Sequence, residues 1–299
     1  MKFGFCLPTF EAIATTETIT RTAVLAEEQG WDSVWVTDHV VMAAGQEHPY
    51  GHIFEALSTL SYVAALTQRV RLGTSIVVLP QRNAVVVAKE VATLDALSRG
   101  RVILGVAAGW NEKEFEFIGA DFHRRGRVLE EQISTMRALW TQARPNFRGK
   151  TYHFEDALFS PKPVQPSGVP VWLGGNSDFA LRRALRIADG WHLTGMPPER
   201  FTQARERTQA TTAGQPFTLS VRLEVDMSGK LPTEFVGPDG TKRRRLGGST
   251  AAIARDVEQY AAAGVSHAVL VLRDDDEAGL VAHMGQIARE VIPHFAEAH

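Results

Sequence analysis

Residues 70–106, VRLGTSIVVLPQRNAVVVAKEVATLDALSRGRVILGV, contain the pattern that decides the fold. Val70–Val78 and Arg101–Val106 are rich in β-branched and apolar residues, which predicts two buried strands. Between them, Ala84–Ser98 has apolar residues at helical spacing and is followed by Gly100, a common helix stop signal. A strand, a helix and a second strand in this order predict a parallel βαβ unit.

The same alternation continues in both directions from this segment. The other predicted strands are Lys2–Leu7, Ser33–Thr37, Val169–Leu173, Gly190–Thr194, Phe217–Val225 and His267–Leu272. The other predicted helices are Thr18–Gln29, Phe54–Thr67, Arg124–Gln142, Ser177–Ala188, Pro198–Thr212, Thr250–Ala263 and Glu277–Ala296. Eight strand–helix units predict an α/β fold of the (β/α)8 TIM barrel type. An open doubly wound sheet is the alternative, but Pro8-Thr9-Phe10 stands where its glycine fingerprint would follow the first strand.

This count favours one barrel domain over residues 1–299 rather than two smaller domains. Three segments interrupt the alternation, at about residues 40–53, 143–167 and 227–248. We expect these insertions to lie in loops and to shape a substrate pocket.

Composition excludes several classes of protein. The chain has 32 Lys and Arg against 34 Asp and Glu, a balance that does not favour a nucleic-acid partner. Cys6 is the single cysteine, which excludes a disulfide scaffold, and we expect it to be a buried structural thiol. No stretch of about 20 apolar residues predicts a membrane span. A cytoplasmic enzyme without a membrane or nucleic-acid partner is therefore expected.

Active sites of such barrels form at the C-terminal ends of the strands. The second predicted strand ends in Asp38-His39, the most chemically suggestive pair in the chain. Histidine titrates near neutral pH and suits proton transfer, and a carboxylate can orient it. Neighbouring residues of a strand point in opposite directions, so the two side chains need not touch. The alternative is a helix-capping aspartate beside a loop histidine.

Two adjacent strand ends suggest a phosphate site. Gly174-Gly175-Asn176-Ser177-Asp178 leads into a helix N-terminus, and Thr194-Gly195 follows the next strand. Glycines allow close approach to the backbone, and free N–H groups at a helix start bind anions. A tight turn explains the first motif equally well. An electropositive rim around this site is one interpretation of two basic segments, Arg124, Arg125 and Arg127 in the first and Lys242–Arg245 in the second. The alternative is that these residues face solvent, which we expect for Lys242–Arg245.

Other barrel chemistries fit less well. A zinc hydrolase needs more ligands than His39 and His192 supply, so no metal site is expected. A Schiff-base aldolase needs a lysine inside the barrel, and none of the seven lysines lies at a strand end apart from Lys113, beyond the fourth strand.

The residues resemble the bacterial-luciferase-like superfamily of flavin and deazaflavin oxidoreductases over nearly the whole chain. Six segments carry the resemblance: Gly30–His39, Leu72–Ile76, Ala96–Val106, Gly109–Glu112, Pro170–Gly175 and Ala188–Trp191. Gly-Trp-Asn-Glu at 109–112, together with Asp38-His39, is most similar to the branch that uses 8-hydroxy-5-deazaflavin, coenzyme F-420.

The resemblance implies a (β/α)8 barrel, often a homodimer, with the cofactor ring in the barrel mouth. It implies a proton role for His39 and a peptide between Ser75 and Ile76 that is often cis. The expected cofactor-binding residues are Asp38, His39, Thr74, Ser75, Ile76, Gly109, Trp110, Asn111, Gly174, Gly175, Asn176, Thr194 and Gly195, with His39 and Asp38 also catalytic. Some sugar-phosphate dehydrogenases of this group have a catalytic Glu where Trp110 stands here, which argues against sugar-phosphate oxidation.

The sequence therefore predicts hydride transfer between coenzyme F-420 and a small organic substrate. Two alternatives remain open at this point. One is an FMN-dependent, luciferase-like monooxygenase that uses O2, and the other is a non-catalytic barrel that binds a cofactor or an anion.

Overall fold

A computed structural model describes residues 1–211 and 216–295. Eight parallel strands close into a barrel, because the last strand pairs with the first and each of the others pairs with its neighbours. These strands are β1 (Lys2–Cys6), β2 (Ser33–Val36), β3 (Arg71–Thr74), β4 (Val102–Ala107), β5 (Val171–Gly174), β6 (Gly190–Thr194), β7 (Thr218–Asp226) and β8 (His267–Leu272). The predicted (β/α)8 barrel is confirmed.

The helices pack around the outside of the barrel. They are α1 (Thr16–Glu28), α2 (Ala56–Leu66), α3 (Ala84–Leu97), α4 (Glu112–Ile118), α5 (Arg125–Thr141), α6 (Asp178–Ile187), α7 (Pro198–Thr211), α8 (Thr250–Ala262) and α9 (Glu277–Glu290). Thr212 and Ala296, the expected last residues of two helices, lie outside the described residues. In the described part of the chain, no helix is long and apolar enough to span a membrane.

The barrel interior is filled by aromatic and imidazole rings beneath the strand ends. Trp35 stacks on Trp172 and on His192, with ring centroids 5.3 and 5.5 Å apart. Gly73 provides the room, since a Cβ there would lie 2.3 Å from the Trp35 ring. Trp35 is fully buried. This layer fills the barrel beneath the strand ends, and a large open space lies above it on the C-terminal side.

Three sequence expectations need correction. The predicted strand Val70–Val78 is interrupted: β3 ends at Thr74, the Ser75–Ile76 peptide is cis, and pairing with β4 resumes at Val77–Val78. Gly73, Thr74 and Ser75 break the apolar run at this point, but the valine-rich residues on both sides favoured one continuous strand. The α4 helix was not predicted because seven residues are too few to establish a helical period.

The third correction concerns the insertions, which have structure of their own. Phe147–Arg148 pairs with His153–Phe154 as a small antiparallel ribbon. In the last insertion, Glu234–Val236 pairs antiparallel with Lys242–Gly247, and the latter strand extends the barrel sheet beside β7. This hairpin brings the basic segment 242–245 towards the barrel mouth.

Candidate active site

A cavity of about 470 Å³ opens at the C-terminal ends of the barrel strands. We call it the main cavity. Ten of the predicted site residues line it: Asp38, His39, Ser75, Ile76, Gly109, Trp110, Gly174, Gly175, Asn176 and Thr194. They come from the ends of β2 to β6, which places five different strands around one space.

The remaining three predicted residues lie elsewhere. Thr74 is buried and its hydroxyl donates to the Gly105 carbonyl at 2.7 Å, so it links β3 to β4. Asn111 caps α4, because its side-chain oxygen accepts from the backbone N–H groups of Lys113 and Glu114. Gly195 lines a neighbouring pocket instead of the main cavity.

His39 is held by a carboxylate that the sequence analysis missed. Its Nδ1 lies 2.9 Å from Oε2 of Glu114, and both side chains are at least 95% buried. The other carboxylate oxygen accepts the Val40 N–H at 2.6 Å. Burial acts to raise the pKa of Glu114, but the hydrogen bonds and the charge of His39 lower it overall, so Glu114 is ionised at neutral pH. An ionised carboxylate only accepts hydrogen bonds, so Nδ1 of His39 carries a proton.

The second ring nitrogen of His39 makes no hydrogen bond within the described residues. His39 itself forms part of the cavity wall. Tyr50 stacks on the imidazole with a centroid distance of 4.3 Å, and the Trp110 ring approaches it edge-on at 5.8 Å. The ring is thus clamped on its face and at Nδ1, which leaves Nε2 available for proton exchange with a bound molecule.

Asp38 does not contact His39 by hydrogen bond; it has partners of its own. Its Oδ1 accepts from Arg82 at 2.7 Å and its Oδ2 accepts the Val78 N–H at 2.9 Å. Burial raises the pKa of Asp38 above its usual value, although Arg82 and Val78 act to lower it. The aspartate therefore ties the end of β2 to the segment after Ser75–Ile76, which fixes the cavity wall from both sides.

The floor of the cavity is a neutral hydrogen-bonded chain. Ser75 Oγ lies 2.8 Å from Nε2 of His192, and Nδ1 of His192 lies 2.9 Å from Ser220 Oγ. Burial, with Arg222 nearby, lowers the pKa of His192 to about 3. His192 is consequently uncharged at neutral pH, and its contact with Ser75 positions that residue rather than supplying a charge.

The opposite end of the cavity suits an anion. Asn176 exchanges two hydrogen bonds of 3.1 Å with the backbone of Thr194, so the ends of β5 and β6 form one surface. Ser177 caps α6, whose first backbone N–H groups have no partner within the helix. Arg125 and Arg183 complete this end. Of the predicted basic residues at 124–127, Arg125 lines the cavity, whereas Arg124 and Arg127 are exposed.

The basic segment of the last insertion also differs from expectation. Arg245 is buried and Arg243 and Arg244 are half-buried, so only Lys242 of the four faces solvent. The three arginines line a second pocket of about 240 Å³ together with Arg222, Gly195 and Tyr50. We call it the side pocket. The expectation of a solvated face was wrong for these arginines, because the pairing of their strand with β7 could not be foreseen from the loop sequence.

The fold and this site define a barrel with a buried histidine–carboxylate pair at one end of its cavity and a helix N-terminus with two arginines at the other. The family model described as luciferase-like monooxygenase matches residues 1–228. The chain belongs to this family, as its sequence resemblance indicated.

Curated relatives support the same placement. The F420-dependent glucose-6-phosphate dehydrogenase of Amycolatopsis mediterranei is 36% identical over 217 residues, which cover 68% of this chain and 64% of the relative. The matched region is thus slightly less than two thirds of that relative. An uncharacterized protein of Mycobacterium tuberculosis is 33% identical over 208 residues, covering 65% of this chain and 72% of the relative.

Solved structures agree in fold at low sequence identity. An F420-dependent secondary alcohol dehydrogenase in complex with an F420–acetone adduct superposes with a TM-score of 0.82 at 20% identity, over 99% of both chains. The oxygenating constituent of 3,6-diketocamphane monooxygenase from Pseudomonas putida, in complex with FMN, gives 0.76 at 16% identity over 98% of both chains.

Proposed function

We propose that this protein is an oxidoreductase that transfers a hydride between coenzyme F-420 and a small organic substrate. The observation that carries the proposal is the main cavity, which joins a proton-exchanging histidine to an anion-binding surface. The name of the curated relatives, F420-dependent glucose-6-phosphate dehydrogenase, supports the choice of cofactor.

The donor set of the cavity fits such a cofactor. A flavin-type cofactor combines a flat ring with an anionic phosphate tail. The α6 N-terminus, Arg125 and Arg183 would hold the tail, because backbone N–H groups and guanidinium groups are good phosphate ligands. Ser75, Ile76 and Gly109 would flank the ring at the other end.

When bound, the coenzyme supplies the carbon that gives or takes the hydride; the protein supplies placement and protons. His39 would exchange a proton with the substrate through Nε2, and Glu114 would hold the ring in the required tautomer. Asp38 would act indirectly by fixing the wall between His39 and Ser75. Thr74, Asn111 and Gly195 would contribute by shaping the strand ends.

Sugar phosphates are disfavoured as substrates. Trp110 stands in the cavity wall where the resemblance places a catalytic Glu, and Glu112, the next carboxylate in the chain, is exposed. An indole cannot accept a proton from a sugar hydroxyl.

A second candidate is an FMN-dependent monooxygenase that uses O2. The family model is described as luciferase-like monooxygenase, and one solved structure of the same fold contains FMN. The two candidates differ in cofactor and in the need for oxygen, so anaerobic assays separate them. We also propose a cytoplasmic homodimer with a single domain; light scattering on the purified protein tests its mass.

Turnover by the wild type and by His39→Ala tests the proposal. Under anaerobic conditions we expect the wild type to oxidise reduced F-420 with a panel of ketones and aldehydes. We expect His39→Ala to be slower by about 10²–10⁴-fold, the usual contribution of a general acid or base. Unchanged turnover in this variant would remove the proton role, and activity only with reduced FMN and O2 would favour the second candidate.

A further inference from the structure

The side pocket adjoins the main cavity and shares part of its wall. Tyr50, Thr194, Arg222 and Arg243 line both spaces. A molecule in the side pocket would therefore reach the wall that carries Tyr50 and, stacked on it, His39.

The side pocket is strongly basic, but most of its charge is neutralised. Four of its arginines form ion pairs of 2.7–3.0 Å: Arg243 with Asp239, Arg244 with Asp256, Arg245 with Glu224 and Arg273 with Glu11. Each of these four arginines therefore has a carboxylate that compensates its charge. The fifth arginine differs from them.

Arg222 is a buried cation without a carboxylate partner. It is 8% exposed, and within residues 1–211 and 216–295 no carboxylate oxygen lies within 4.0 Å of it. Its Nη1 donates to the Ser75 carbonyl at 3.4 Å, which is long for a hydrogen bond, and its other neighbours include the Tyr50 hydroxyl. Burial acts to lower the pKa of Arg222, but Cys6, Tyr50 and Glu224 act in the opposite direction and leave it raised, so the group is charged.

A buried charge with no carboxylate in contact is costly to the protein. Since Arg222 lines both the side pocket and the main cavity, an anion bound between them would supply the missing partner. One unpaired positive charge matches a carboxylate. A phosphate monoester carries nearly two negative charges at neutral pH and would need a second free cation.

We infer that the side pocket binds the carboxylate of a small organic acid through Arg222, and that this acid is the substrate. Only the second statement, that the acid is the substrate, rests on the proposed function. The guanidinium fork offers two parallel N–H groups to a carboxylate, and Tyr50 offers a hydroxyl at the shared wall. The reacting carbon of the acid would then extend towards the main cavity.

Calorimetric titration of the full chain, with and without F-420, tests this inference. The probes are acetate, 2-oxobutyrate and succinate as carboxylates, butanone as an uncharged counterpart, and glucose 6-phosphate as a phosphate monoester. The variants are Arg222→Met and Arg222→Lys, with Arg255→Met as a control that removes a positive charge from the exposed side of α8. Circular dichroism verifies that each variant is folded.

We expect at least one carboxylate to bind about tenfold more tightly than butanone, and Arg222→Met to remove that difference, as expected for a charged hydrogen bond. Arg255→Met should leave all dissociation constants unchanged. If Arg222→Met does not fold, Arg222→Lys should weaken carboxylate binding, because the ammonium group cannot form the two parallel bonds.

Three results would overturn the inference. The first is that the carboxylates bind no better than butanone. The second is that Arg222→Met weakens the binding of F-420 as much as that of the carboxylates, which would assign Arg222 to the coenzyme. The third is that the binding of glucose 6-phosphate depends on Arg222 more strongly than the binding of any carboxylate. Carboxylate binding without F-420 binding would leave the anion site standing and refute the proposed function instead.

Discussion

Replacing Glu114 by Gln reverses the direction of the hydrogen bond between this side chain and Nδ1 of His39. The carboxylate accepts from His39 Nδ1 at 2.9 Å with one oxygen and from the Val40 N–H at 2.6 Å with the other. A glutamine has only one side-chain oxygen, and the Val40 N–H can only donate, so this oxygen must stay with Val40. The amide NH2 then faces Nδ1, which must become an acceptor.

The consequence is a change of tautomer at His39, the residue proposed to exchange a proton with the substrate. In the wild type the proton that Glu114 accepts lies on Nδ1 of His39, whereas in the variant Nδ1 accepts and the proton lies on Nε2. Wrong-tautomer variants of histidine–carboxylate pairs lose up to about 10⁴-fold in rate with intact geometry. We expect a loss of about 10²–10⁴-fold in kcat for Glu114→Gln. Since the Val40 N–H keeps its acceptor and the new amide NH2 donates to Nδ1, we expect stability to fall by only about 1 kcal/mol.

Nitrogen NMR of the imidazole gives a readout that needs no substrate. The protonated and unprotonated ring nitrogens have different shifts, so the position of the proton can be read directly in both proteins. Glu116→Gln is the matched control, because Glu116 lies on the same helix but is exposed and paired with Lys113. Retention of the proton on Nδ1 in Glu114→Gln, with near wild-type turnover, would refute the role assigned to Glu114.

Three other perturbations have defined outcomes in this structure. Burial lowers the pKa of His192 and of His267 to about 3, so the unfolded chain takes up protons below pH 6.5 that the folded chain does not. Lowering the pH from 6.5 to about 3 should therefore reduce the free energy of unfolding by about 1.4 kcal/mol per pH unit for each histidine. In urea unfolding, replacing both histidines by Gln should make the dependence of stability on pH flatter. Gly109→Ala adds a Cβ 2.5 Å from Val78 at φ +84°, whereas Gly119→Ala, at φ +74°, meets nothing within 4 Å. Thermal unfolding should show a larger loss for Gly109→Ala, by about 1–3 kcal/mol. Arg183→Ala should weaken F-420 binding about tenfold by fluorescence titration; Arg186→Ala, which removes the exposed partner of the same Glu130, should not.

The barrel was predictable because each strand and helix has its own period of apolar residues. The position of Asp38 and His39 in the cavity wall was predictable for a related reason: once β2 is placed, its exit must lie at the barrel mouth. The neighbours that give these residues their chemistry were not predictable in the same way. Tyr50 comes from an insertion without periodicity, and a bridge between Phe10 and Ile53 draws that segment towards the site. Glu114 lies on a helix too short to show a period.

Arg222 is the one missed residue that left a signal in the sequence. It stands inside a predicted strand, at 217–225, where apolar and polar residues alternate. In a closed barrel the inward positions of a strand are normally filled by packed side chains. The Ser220 hydroxyl contacts His192 inside the barrel, and Arg222 lies on the same side of the strand. An arginine at an inward position of a barrel strand therefore indicates a ligand site, and the alternation of polar and apolar residues in the sequence contains this signal.

Equilibrium titration with F-420 and with FMN tests most directly the cofactor proposed for the main cavity. The purified protein should quench the fluorescence of F-420 at stoichiometric concentrations and bind it at least about tenfold more tightly than FMN. Tight binding of FMN with no binding of F-420 would contradict the proposed cofactor.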